Sequence, residues 1–155
     1  MTAGPYGLTI FCDDIRQEVN GKLTLVGCYG SDLHILGTYP AVLPTLAAHI
    51  NIRLPFSLAI ESLKIVVTKE DSGGVEEIMS MEADTSEASK PDEEMKDQII
   101  KGEKILSILV PFKWSPVQFL SDGKIKVRGY IDGTTELKLG SLTVSLYKVD
   151  DAAPI

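Results

Sequence analysis

The stretch from Phe11 to Gly30, FCDDIRQEVNGKLTLVGCYG, decides the fold. Two apolar runs rich in strand-forming residues flank a charged connector that contains Asn20-Gly21, a dipeptide suited to the positive φ angles of a tight hairpin turn. On the first run Leu8, Ile10 and Cys12 share one face; on the second Leu23, Leu25, Gly27 and Tyr29 alternate in the same way. With residues 13–22 as the connector, Cys12 lies opposite about Leu23. Cys28 then sits roughly 17 Å from Cys12 at about 3.4 Å per residue. A disulfide needs Cα atoms within about 7 Å, so the spacing predicts two reduced thiols and a reducing compartment.

Working outward, the same period of two recurs along the chain. Ile50, Ile52 and Leu54 share a face, as do Leu63, Ile65 and Val67. The run Ile105–Phe112 follows, then Ile125, Val127 and Ile131, and finally Leu142, Val144 and Leu146. One buried and one wetter face per strand is the mark of antiparallel sheets. Asn20-Gly21, Ser72-Gly73-Gly74, Asp122-Gly123 and Asp132-Gly133 separate the runs and are read as turns with positive φ. Pro40, Pro44, Pro55, Pro111 and Pro116 fall at strand edges or connections. The expectation is an all-β chain, a single antiparallel β-sandwich domain over residues 1–155 with about eight or nine strands. Residues 92–101, where Met95 and Ile99 stand four apart in a polar segment, are expected to form one short helix or ordered loop.

Composition fits that expectation. At 155 residues the chain can bury about 68–70% of its unfolded surface, and 44% hydrophobic with 24% charged residues is a globular balance. No apolar run approaches the roughly 20 residues of a membrane span. The opening MTAGPYG lacks the basic start and apolar core of a signal peptide, so a cytoplasmic protein is expected. The net charge is −7, but Glu70–Asp97 holds eleven acids against Lys90 and Lys96, a local −9 that leaves the rest of the chain at +2. The balance argues against nucleic-acid binding, which relies on clustered Lys and Arg.

Candidate sites divide between chemistry and contact. Asp13, Asp14, Arg16 and Glu18, with Asp32, could supply oxygen ligands to a hard cation, but Arg16 competes among the carboxylates and the spacing fits no known loop. A turn-capping and solvation role is the stronger reading. His34 and His49 lack the neighbouring ligands of a zinc site; His49 alternates with Asn51 and Arg53 on the expected outer face of a strand. There is no G-x-S-x-G elbow and no glycine-rich phosphate loop, and Cys12 reads as a small hydrophobe in a strand. No catalytic residue, metal ligand or cofactor is therefore assigned.

Contact surfaces are better supported. Lys124, Lys126, Arg128 and Tyr130 form a basic stripe with an aromatic, or simply the solvent side of a strand. The acidic run, with Glu76, Glu77, Glu93 and Glu94, could dock a basic partner or the stripe of a neighbouring copy, giving head-to-tail self-association. Trp114, with Phe112, Pro116 and Phe119, could form an exposed apolar patch for a partner or fill the core at a strand end.

The words Cys12-Asp13-Asp14, Arg16, Glu18, Gly21-Lys22 and Gly27, Tyr29, Gly30 resemble the N-terminal signature of a family of small bacterial and tailed-phage proteins with no established activity. A weaker likeness continues through Pro40–Pro44 and the closing block Asp132–Leu142. The resemblance implies a compact β domain of immunoglobulin-like or C2-like type and a bacterial or phage source; it imports no catalytic or binding residues. The acidic middle segment has no counterpart in it. Together these readings predict a non-enzymatic interaction or assembly module, such as an accessory protein that decorates a phage capsid or joins its parts. Partners are expected to be protein or further copies of the chain, with no nucleic acid and no membrane. A protein that binds or sequesters a small molecule, and a metal-dependent hydrolase, are the alternatives.

Overall fold

A computed structural model describes residues 4–86 and 104–148. The described residues are mostly strand: β1 Tyr6–Gln17, β2 Leu23–Cys28, β3 Asp32–Ile35, β4 Ala41–Leu43, β5 Leu46–Pro55, β6 Ser62–Asp71, β7 Gly74–Asp84, β8 Ile105–Trp114, β9 Val117–Phe119, β10 Gly123–Ile131 and β11 Thr135–Leu146. They form a four-stranded sheet in the order β2-β1-β5-β8, a five-stranded sheet in the order β3-β11-β10-β6-β7, and the small pair β4-β9. The all-β expectation holds. Eleven strands replace the expected eight or nine because β3, β4 and β9 span only three or four residues, too few to show an alternation. One pairing departs from the antiparallel rule: β3 runs parallel to β11, with Asp32 beside Thr143 and Ile35 beside Leu146.

Burial explains the two large sheets. The inner faces of β5 (Leu46, Ala48, Ile50, Ile52, Leu54), β6 (Leu63, Ile65, Val67), β10 (Ile125, Val127, Ile131) and β11 (Leu139, Leu142, Val144) merge into one core. Phe119 and Trp114 join it from the β8-β9 end. These are the alternations read from sequence, and they place the sheets face to face. A second, small cluster of Cys12, Ile15 and Ala47 lies apart, against Leu23 and Leu25.

The opening hairpin corrects the sequence reading in its register. Residues Asp13–Gln17, three of them charged, do not form the connector; they continue β1, and the turn contracts to Val19–Gly21, where Asn20 and Gly21 take φ of 67° and 73°. Gln17 therefore pairs with Leu23, and Cys12 stands directly opposite Cys28 instead of five residues away. Ile15, 4% exposed, anchors the added length of strand, so burial of one side chain outweighs the polar character of its neighbours. Both cysteines are free thiols. The proposed helix or loop at 92–101 lies outside the described residues.

A buried carboxylate ties the turn of the β6-β7 hairpin to the connection between β9 and β10. Asp71 accepts the Gly73 amide at 2.8 Å and the Leu120 amide at 2.9 Å, with the Lys69 ammonium 3.7 Å away. The Leu120 amide is the largest of the influences that hold its carboxyl below the usual carboxylate range, ahead of Gly73 and Lys69. Because the folded pKa is depressed, its stabilising contribution is complete above the ordinary Asp value near 4 and is lost as pH falls through the lower folded value. Asp71→Ala is expected to cost about 1–3 kcal/mol at neutral pH by leaving two amides without their acceptor. Urea midpoints of parent and variant should converge on acidification below about pH 4; a gap that persists unchanged would contradict this role.

Candidate functional site

The outer face of the four-stranded sheet is where the residues do not behave as a solvated surface should. Strand β1 is inverted with respect to its apolar pattern. Its inward positions are Gly7, Thr9 and Phe11, paired with Ile52, Ile50 and Ala48, and the Thr9 hydroxyl is buried without a hydrogen-bond partner. The sequence assigns Leu8, Ile10 and Cys12 a shared face, and they do share one, but it is the outer one: Leu8 is 55% exposed. Only Cys12, under the small second cluster, is fully covered.

The register lays these side chains out in rows. Leu8, Asn51 and Leu109 form one row across β1, β5 and β8; Ile10, His49 and Pro111 form the next; Tyr6, Arg53 and Ser107 lie on the far side. Leu109 is 54% and Tyr6 50% exposed. On β8 the neighbours Leu106, Ile108, Val110 and Phe112 pack on the core, so Leu109 faces outward by alternation and not by disorder of the strand. Charge enters this face at Arg53 and at Lys113 with Asp14. Arg53 donates from Nε to Asn51 at 3.2 Å, and the Lys113 ammonium lies 2.7 Å from Asp14. Lys113 in turn is the main reason that the Asp14 carboxyl sits below its usual range. His49, Asn51 and Arg53 are half-buried on this face, as the alternation predicts.

The opposite outer face is a charged mosaic. Lys124, Lys126, Arg128 and Tyr130 alternate outward along β10 between β6 and β11. Lys126 pairs with Glu70 at 3.0 Å and Arg128 with Glu136 at 3.6 Å; on the inner side of the same sheet, in register with Ile125, Lys69 pairs with Glu76 at 3.4 Å. Glu77 stands opposite Thr68, and Glu76, Glu77 and Glu82 are exposed along β7, the edge strand, where like charges oppose pairing with another sheet. Much of the stripe and the near part of the acidic run thus belong to one sheet and offset each other within it. Glu93 and Glu94 lie outside the described residues.

The other candidates resolve as structure. Trp114 is 7% exposed, edge-on to Phe112 with ring centroids 4.6 Å apart, so it fills the core and is not an exposed patch. Beside it a groove of about 420 Å³ runs between β7, β4 and the β8-β9 turn, lined by Trp114, Val117, Lys69, Glu76 and Gln118. The indole Nε1 of Trp114 is buried without a hydrogen-bond partner. Asp13 and Asp14, as successive strand residues, project to opposite sides: Asp13 accepts from the Tyr29 hydroxyl and Asp14 meets Lys113. Burial, followed by that bond, pushes the Tyr29 phenol up to about 12. His34 and His49 belong to different sheets, and His34 Nδ1 contacts Ser145 Oγ at 3.2 Å. Among the described residues no three His, Cys, Asp or Glu side chains gather as a metal site would require, and no helix is long and apolar enough to cross a membrane.

In comparisons with known proteins, no family model matches the chain and no curated protein matches it.

Proposed function

We propose that this protein is a non-enzymatic assembly module that associates with further copies of itself through the outer face of its four-stranded sheet. The observation that carries the reading is the pair Leu8 and Leu109, each more than half exposed on the same face of the sheet, on either side of Asn51. Apolar patches of this kind on an otherwise charged surface mark contact sites. A face with few charges is a poor fit for a strongly basic or acidic partner but a good fit for its own copy: a two-fold contact would set each Leu8–Leu109 row against the other. With the phage-leaning signature of residues 11–30, the reading extends to an accessory virion protein, made in the bacterial cytoplasm and placed on or between parts of a capsid or tail.

The groove beside Trp114 favours a second reading, sequestration of a small molecule, because apolar walls and a few polar groups converge there. Native mass spectrometry over a range of protein concentrations separates the two. The assembly reading expects multi-copy species that grow with concentration; monomers at every concentration would overturn it. Monomers carrying a bound small molecule would select the second reading.

A further inference from the structure

The register of the first hairpin places Cys12 and Cys28 face to face, and the type of site matters. The Tyr29 amide donates to the Phe11 carbonyl at 2.7 Å, just beyond the pair. That bond makes Cys12–Cys28 a non-hydrogen-bonded pair, whose Cα atoms stand about 4.5 Å apart and whose side chains share one face. A disulfide spans Cα separations of about 4.4–6.8 Å. The two thiols differ in access: Cys28 is exposed and Cys12 is fully buried.

We infer that Cys12 and Cys28 are a thiol modification site that closes to an intramolecular cross-strand disulfide when the protein meets a low-molecular-weight disulfide such as oxidised glutathione. The Cys28 thiolate attacks one glutathione sulfur, breaking its S–S bond, forming a mixed disulfide and releasing one glutathione thiol. The Cys12 sulfur, after losing its proton to solvent, then attacks the Cys28 sulfur of that mixed disulfide and releases the second glutathione thiol. Two protein thiols are oxidised by two electrons and one glutathione disulfide is reduced to two thiols. The division of labour follows from access, and the Cys12 thiol is also pushed up, by burial first and by the neighbouring Cys28 second, which suits the resolving and not the attacking role. The bond would fasten β2, an edge strand, to β1 beside the apolar face, yet it depends only on the hairpin register and not on assembly.

Incubation of the full-length protein with oxidised glutathione, followed by intact mass and free-thiol titration, tests this. The expected product has lost two hydrogens, carries no glutathione and shows no free thiol, and a thiol reductant restores both. Cys12→Ala should retain glutathione on Cys28 as its end product, and Cys28→Ser should stay unmodified while folded. A stable glutathione adduct on the parent protein, two persisting free thiols, or a disulfide between chains would each overturn the inference. The parent's own mass decides the matter even where a variant folds poorly.

Discussion

Phe119→Ala is expected to lower the unfolding free energy by about 3–5 kcal/mol, a large part of the roughly 5–15 kcal/mol that holds a domain together. The ring is fully buried and stands at the end of β9, whose only partner among the described residues is the three-residue strand β4. Its pair across that ladder is Ala41, a side chain too small to move into the space that the ring leaves. The Lys69 ammonium also lies 5.6 Å from the ring centroid, a contact that alanine removes along with the packing. Urea denaturation checks the prediction. A loss below about 1 kcal/mol would mean that the β4-β9 corner relaxes freely and is not part of the common core.

Gly123→Ala should be the most damaging of the small substitutions. A Cβ at this position would stand 2.1 Å from the Glu70 carbonyl oxygen and 3.2 Å from Asp71 Cβ. The first of these is backbone, which cannot swing aside, so β10 must move away from β6 where Lys124 pairs with Glu70. Overpacking of this kind costs about 1–3 kcal/mol. The local signature should be faster amide exchange along the start of β10 and the end of β11, where Gly123 faces Val144. A variant as stable as the parent, with unchanged exchange there, would contradict the close approach.

That glycine illustrates what the sequence does and does not disclose. Asp122-Gly123 reads as a turn with positive φ, yet Gly123 is absent from the positive-φ glycines and is required instead for room beside a neighbouring strand. The reading succeeds at Asp132-Gly133, where both residues take the left-handed conformation between β10 and β11. The buried faces of β5, β6, β10 and β11 are legible because each strand is long enough for several alternations and each has polar residues opposite its apolar ones.

Strand β1 defeats that logic. Leu8, Ile10 and Cys12 offer the apolar face, Gly7 and Thr9 the small or polar one, and alternation alone would send the first inward. The fold sends Gly7 and Thr9 inward, where a Cβ on Gly7 would stand 2.5 Å from the Asn51 carbonyl oxygen of β5 and 2.8 Å from the Leu139 side chain of β11, and where Thr9 fills the space beside Gly140. A steric limit set by β5 and β11 together thereby overrides hydrophobicity. The candidate site was hidden for the same reason: its two main residues, Leu8 and Leu109, come from β1 and β8 and meet only through the register of β5 between them. The cysteine pair is hidden because Asp13, Asp14, Arg16 and Gln17 read as connector, whereas burial of Ile15 among them keeps all five positions in the strand.

Sedimentation velocity on two matched double variants tests the assembly account most directly. Leu8→Glu with Leu109→Glu places carboxylates in the middle of the apolar face, where both side chains are exposed enough to leave the fold intact. Lys126→Gln with Arg128→Gln removes two cations from the charged face of the other sheet. The account predicts that the first pair reduces the protein to monomers while the second leaves its assembly unchanged. Assembly that survives the leucine substitutions and fails with the loss of Lys126 and Arg128 would contradict it.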